Sequence, residues 1–424
     1  MRPSSRRRWL SLLAVAALTP AFAGCSGSTP SGEGGGDGDG RGPITFARGK
    51  DTTGHLQEVL DTWNKQHPKE KVTLHELPES ADEQRAGMVQ NFQAESGEYD
   101  VVGADVVWTA EFAARDWIEP LDKETFGGSQ LLPPTVETGM YGGKLYAAPW
   151  NSNAGFLYYR SDLVKSPPKT WDELIDDCKI AEQNDMDCYA GQFAQYEGLT
   201  VNASEAINST GGTVLNESGT EAAVDSAEAK EGLEFLVNGF KEGYIPKEAI
   251  TYDEETGRRA FQQGNLLFLR NWPYVYGLAN TKGPDSKIVG KFDVVPLPGP
   301  DGPGASTLGG YNLAVSSFSE NQKTAKDFIE FMQSEEIQRR VLTDLSLPPV
   351  VTSLYDDPAL QKKLGYLATL KEAILQAETR PVTPNYNEVT LAIQKNAYEA
   401  LQGKMTVDEA TAAMAEELNQ ASER

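Results

Sequence analysis

The sequence predicts an α/β protein of two lobes, each a mostly parallel sheet flanked by helices, followed by a helical tail. Three observations carry this. Short strand-like apolar runs alternate with runs of helical period. The alternation starts again midway along the chain. The 424 residues, 39% hydrophobic and 24% charged, suit a globular chain of two or three domains.

The elements read as follows. Ile44 to Ala47 is a short strand. Leu56, Val59, Leu60 and Trp63 recur on one helical face, and Pro68 ends that helix. Val72, Leu74 and Leu77 give the next strand. Ser80 and Glu83 have the spacing of a capping box, with Met88, Val89 and Phe92 continuing the helix. Tyr99 to Val102 is again a strand. This β-α-β-α-β order implies a mostly parallel sheet covered by helices. The pattern then restarts. Tyr146 to Pro149, Gly155 to Arg160, Tyr189 to Phe193, Leu266 to Arg270 and Tyr311 to Val315 read as strands. Thr170, with Glu173, caps a helix, and Glu197 to Asn208 and Ala227 to Phe240 read as helices. Pro296 to Gly304 is a loop, and a long amphipathic helix lies near Thr406 to Leu418.

The composition excludes several classes. The chain holds 38 Lys and Arg against 62 Asp and Glu, a net charge of −24, which disfavours a nucleic-acid surface. Three His and three Cys leave little for a multi-ligand zinc site, so no metal and no cofactor are expected. No G-x-S-x-G elbow, phosphate loop, G-x-G-x-x-G turn or H-E-x-x-H pair occurs. An exported carbohydrate-active enzyme working with two carboxylates remains the alternative, as does a receptor for a non-sugar solute.

The first stretch is an address. Arg2, Arg6, Arg7 and Arg8 precede an apolar run from Trp9 to Leu18 that is short for a bilayer. Phe22-Ala23-Gly24-Cys25 follows and resembles the lipobox of bacterial lipoprotein signals. The resemblance implies cleavage after residue 24, a lipid on Cys25, and a cell-membrane location on the extracytoplasmic face. Losing residues 1–24 removes four arginines and no acid, which takes the charge to −28. In Ser26 to Gly42, eight of 17 residues are Gly, so residues 25–42 read as a flexible tether reaching about 23 Å. Outside the cell a disulfide is permitted, and Cys178 and Cys188 predict one, with two free thiols as the alternative.

In open α/β sheets, ligands sit beyond the carboxyl ends of the strands. Lys50 and Asp51 follow the first strand and Asp105 follows the third. Asn151 and Asn153 follow Tyr146 to Pro149, and Asn271, Trp272 and Tyr274 follow Leu266 to Arg270. Carboxylates, amides and flat rings suit a neutral polyol, whose hydroxyls need paired hydrogen bonds and whose C–H faces need a ring.

The ordered markers Ala104-Asp105-Val106-Val107-Trp108, Gly143-Lys144-Leu145-Tyr146, Leu157-Tyr158-Tyr159-Arg160, Asn271-Trp272-Pro273-Tyr274, Gly309-Gly310-Tyr311-Asn312 and Arg380-Pro381 carry a wider resemblance. The mature chain resembles the extracellular solute-binding lipoproteins of carbohydrate ABC importers, in the trehalose/maltose-binding branch. The resemblance implies a type II periplasmic-binding-protein fold with a ligand cleft between its lobes. It implies an N-terminal lobe of residues 43–149 plus 309–345 and a C-terminal lobe of 150–308 plus 346–424. It implies a monomer without enzymatic activity that passes a disaccharide or short oligosaccharide to permease subunits. As sugar contacts it points to Asp105, Asn151, Asn153, Trp272, Gly310, Tyr311 and Arg380, with Lys50, Asp51, Gln84 and Glu197 as further candidates. The Arg380 fork suits two sugar oxygens or a cleft carboxylate such as Asp105. On this reading, Ala at Trp272 or Arg380 lowers affinity and spares the stability of the empty protein.

Overall fold

The strands are β1 (Ile44–Gly49), β2 (Val72–Leu77), β3 (Val101–Asp105), the small hairpin β4 (Met140–Tyr141) and β5 (Lys144–Leu145), β6 (Ala148–Asn153), β7 (Phe156–Tyr159), β8 (Asp187–Ala190), β9 (Leu266–Asn271), β10 (Asp293–Val295) and β11 (Gly309–Val315). They come from a computed structural model that describes residues 40–216 and 219–422. The signal and Cys25 lie outside the described residues.

Two larger sheets result, one in the order β2-β1-β3-β11-β6 and one in the order β10-β7-β9-β8. In the first, β11 runs against its four companions. In the second, β7 runs against the other three. Most strands in each sheet point the same way, but the reversed strand lies inside it, so two of four pairings in the first sheet and one of three in the second are parallel; both sheets are mixed, through a reversal that local sequence order does not announce. The reversed strands are the two that take the chain across. β7 follows β6 directly out of the first sheet, and β11 brings the chain back.

Local chemistry accounts for the flanking helices. Helix Leu56–Gln66 buries Leu56, Val59, Leu60 and Trp63, the residues its period selects, and the Trp63 indole N–H donates to the Glu70 carbonyl (2.7 Å). Helix Trp171–Gln183 starts on Thr170, whose hydroxyl accepts from the Glu173 N–H (3.2 Å). The capping box expected at Ser80 does not form, because the Ser80 side chain makes no cap hydrogen bond. Behind the second sheet, helix Tyr386–Leu401 packs on Glu197–Ser209 and Val407–Ser422.

The end of the Gly-rich segment is held rather than free. The Gly40 carbonyl accepts from the Lys323 N–H (2.9 Å), and Arg41 reaches Glu70 (3.1 Å) and Asp327 (2.8 Å). The Gly42 N–H donates to the Thr324 hydroxyl (3.2 Å).

Cys178, on helix Trp171–Gln183, and Cys188, in β8, form a disulfide across Cα atoms 5.0 Å apart. Closing a loop of ten residues restricts the unfolded chain. Replacing both by Ser is expected to reduce stability by about 2–3 kcal/mol, read as a lower urea midpoint at unchanged slope. An unchanged midpoint would show that the bond constrains nothing the fold does not already constrain.

Candidate functional site

Where the ends of the strands meet lies a cleft of about 360 Å³. The ends of β1, β3 and β6 and the start of β11 open onto it, as does the corner after β9. This is the edge at which parallel strands present their carboxyl ends.

At one wall, Asp105 ends β3 opposite Tyr311 of β11. Gly310 beside it has φ +122°, and a Cβ there would fall 2.2 Å from the Asn151 carbonyl oxygen. Glycine is thus required where β11 enters the sheet. The Tyr311 hydroxyl donates to Gln84 Oε1 (3.3 Å), while Gln84 Nε2 donates to the Glu79 carbonyl (2.9 Å). Burial pushes the Tyr311 phenol up to about 12. Lys50 pairs with Glu79 (2.8 Å) at the exposed rim.

Arg380 ties the two sides together. Its Nη2 donates to Asp105 Oδ1 (2.9 Å) and its Nη1 to Glu197 Oε1 (2.6 Å). Glu197 also accepts from the Tyr386 hydroxyl (2.5 Å) and, on Oε2, from Thr390 (2.7 Å). Burial raises the Glu197 carboxyl, and Arg380 works against that rise. Burial also opposes the Arg380 charge, yet Asp105, Tyr386 and Glu197 outweigh it and hold the guanidinium protonated. A second link joins the walls where Asp82 accepts from the Glu197 N–H (3.2 Å) and Gln394 Nε2 (3.3 Å).

At the far wall Trp272 presents its ring. Arg270, 1% exposed, lies with Cζ 4.0 Å from the ring centroid, and Glu205 grips that arginine with both oxygens (2.7 and 2.6 Å). The Trp272 N–H donates to Asn271 Oδ1 (2.8 Å), and its carbonyl accepts from Tyr158 (2.8 Å). The corner is therefore fixed at backbone and ring alike. Gly309 leaves room for the indole, since a Cβ there would meet the ring at 2.9 Å. Nearby, Tyr196 donates to Glu254 (2.5 Å) and Tyr274 to Glu255 (2.7 Å). Burial alone would raise Glu255, but Arg258 and Tyr274 hold it below the usual carboxylate range.

Of the residues singled out from the sequence, Lys50, Gln84, Asp105, Asn153, Glu197, Trp272, Gly310, Tyr311 and Arg380 line this cleft. Asn151 does not. It sits one rung deeper than Asn153, opposite Tyr311, and is 2% exposed. Asp51 does not either. Its carboxylate accepts the N–H groups of Leu56 (2.8 Å) and Thr53 (3.0 Å) and so starts the helix Leu56–Gln66. Asp51→Ala is expected to lower stability by about 1 kcal/mol and to leave ligand affinity within twofold, which melting curves and calorimetric titration check. A tenfold affinity loss would return Asp51 to the site.

Sequence reasoning passed over Arg48, Tyr196, Glu254 and Glu255, which also line the cleft. Tyr196 follows the run Tyr189 to Phe193 and was passed over all the same, whereas the two glutamates precede a strand, so strand-end reasoning has no hold on them. Arg48 lies inside β1, one residue before its end.

Comparisons with known proteins agree with this geometry. Residues 49–339 match the family described as bacterial extracellular solute-binding protein. A probable ABC transporter-binding protein of Deinococcus radiodurans is 33% identical over 361 residues, covering 81% of this chain and 84% of that one. A maltotriose-binding protein of Pyrococcus abyssi is 25% identical over 314 residues, 71% of this chain and 65% of its own. Among solved structures, the maltose-bound MalE3 of T. maritima superposes with a TM-score of 0.84 at 35% identity, over 89% of this chain and 99% of that one. The two sheets with their reversed crossing strands are the two-lobed type II architecture of such binding proteins. On the family match and the Deinococcus relative together, the chain belongs to the bacterial extracellular solute-binding proteins.

Proposed function

We propose that this protein is a lipid-anchored receptor that captures a neutral disaccharide or short oligosaccharide, of the maltose or trehalose kind, and delivers it to the permease of an ABC importer. One observation carries the reading: the cleft pairs a rigidly mounted indole, Trp272 on Arg270, with polar groups already fixed in position, Asp105 and Glu197 on Arg380. A ring held this firmly covers the C–H face of a pyranose, and fixed carboxylates accept its hydroxyls. The volume, about 360 Å³, falls in the usual range of small-ligand sites. The maltose bound to MalE3 and the name of the Pyrococcus relative support the sugar class.

The same bonds support a reading of binding without chemistry. Asp105 and Glu197 are both committed to Arg380, and Glu254 and Glu255 to tyrosine hydroxyls. Carboxylates locked in this way recognise hydroxyls rather than shuttle protons. The anchor is Cys25, with the Gly-rich tether behind it, and the protein acts as a monomer. Asn151 lies beneath the cleft, paired in register with Tyr311, and both polar atoms of its amide are buried without a partner.

The test is calorimetric titration with maltose, maltotriose and trehalose, followed by chromatography of the recovered sugar. Tight binding of an unmodified sugar supports the receptor. Appearance of cleaved product replaces it with an exported carbohydrate-active enzyme. Cys25→Ala is expected to release the protein from washed membranes, and retention there would remove the anchor from the proposal.

A further inference from the structure

Four arginines are buried among the described residues: Arg48, Arg160, Arg270 and Arg380. Three of them meet a carboxylate directly: Arg160 meets Asp162, Arg270 meets Glu205, and Arg380 meets Asp105 and Glu197. Arg48 is 7% exposed, and its Nε and Nη1 have no hydrogen-bond partner. The acids that feel its charge are engaged elsewhere. Asp51 starts a helix, and Glu76 accepts the Asp51 N–H (2.8 Å). The rings of Trp150 and Tyr311 flank the guanidinium, their centroids 5.1 and 5.7 Å from Cζ. Burial consequently lowers its pKa, with no ion pair to offset the loss of water. A buried cation with unused donors is expensive to keep, so a purely structural role gives no reason for an arginine here. The residue lines the cleft.

We infer that Arg48 is a ligand-binding residue whose unused donors take oxygens of a neutral polyol, so that it helps select the sugar. The inference rests on the receptor reading above. Neutrality follows from the lining. Glu79, Asp105, Glu197, Asp253, Glu254 and Glu255 outnumber the lining cations Arg48, Lys50 and Arg380, and their field repels a second anion. Hydroxyl and ring oxygens accept from a guanidinium without adding charge.

The experiment compares the parent with Arg48→Met and Arg48→Lys, using maltose, maltotriose, trehalose and the aldonic acid maltobionate. Calorimetry gives affinities, and melting curves of the empty proteins accompany it. The expected result has several parts. The parent binds at least one neutral sugar more tightly than maltobionate. Arg48→Met weakens that sugar at least tenfold, Arg48→Lys falls between, and the empty Met variant melts no lower than the parent. Affinities within twofold of the parent in both variants remove Arg48 from the site and leave the receptor reading standing. A lower melting temperature with unchanged affinity makes Arg48 structural. Tighter binding of maltobionate overturns the neutral class. Should the Met variant fail to fold, the Lys variant decides on the same twofold and tenfold limits. A parent that binds none of the neutral sugars overturns the receptor reading itself, an outcome seen without any variant.

Discussion

Arg380→Met is expected to destabilise the protein by about 3–5 kcal/mol, because it strands two carboxylates. Asp105 and Glu197 each lose a charged donor, at 2.9 and 2.6 Å, in a place where Arg380 itself is only 4% exposed. Glu197 keeps Tyr386 and Thr390, but neither carries charge. Met preserves the volume of the stem, so the loss isolates the charge. The pH dependence has a definite sign. Burial already raises the Glu197 carboxyl in the folded state, and removing Arg380 raises it further. Above about 4.3, the ordinary Glu value, the unfolded chain releases that proton while both folded chains keep it; above the parent's own raised value only the folded variant still keeps it, so there the variant's deficit grows as pH rises. Urea melts at pH 4 and pH 7 test this, with the gap to the parent smaller at pH 4. A deficit under 1 kcal/mol at pH 7 would show that Arg380 is dispensable to the fold. This outcome runs against the expectation that its loss spares the empty protein, because Arg380 lines the cleft and also bridges Asp105 and Glu197.

Arg270→Met is expected to be comparably severe, at about 3–5 kcal/mol, and to act on the ligand indirectly. Glu205, 4% exposed, loses both oxygens' partner and keeps only the Thr307 N–H (3.1 Å). Gln192 Oε1 loses its charged donor (2.7 Å) and keeps the Asn202 amide (3.2 Å). The Trp272 ring loses the cation 4.0 Å beneath it. The double variant Arg270→Met with Glu205→Leu should regain most of the stability, because an apolar pair replaces the ion pair. Affinity for the bound sugar should stay low in both, since neither restores the platform under the indole. Full recovery of affinity in the double variant would show that Trp272 needs no support from below.

How far the sequence alone reaches can be seen in particular residues. The helix Leu56–Gln66 was legible because its buried residues repeat at the helical period. Asp105 and Trp272 were legible because each follows a strand, and strand ends form the cleft. Asp51 also follows a strand, yet it starts a helix. Position after a strand does not distinguish these two uses of a carboxylate. Arg48 was illegible for a different reason. It directly follows the apolar run Ile44 to Ala47, but an arginine at a strand end ordinarily faces water, and only the fold brings Trp150 and Tyr311 to its sides. The grip of Glu205 on Arg270 likewise joins residues 65 apart, with no local pattern to betray it.

The placement of β11 bears on how the protein must be made. It lies between β3 and β6, although about two hundred residues, 106–308, separate it from β3. Until residue 315 has emerged, β3 has an open edge and β6 has no neighbour in the first sheet. A nascent chain therefore carries this unpaired strand edge through about half of its synthesis, the condition that invites mispairing with other chains. Closing so distant a contact is slow on entropic grounds. A fragment ending near residue 150 should aggregate rather than fold, and the first sheet should close only after the chain has gone out through the second and returned.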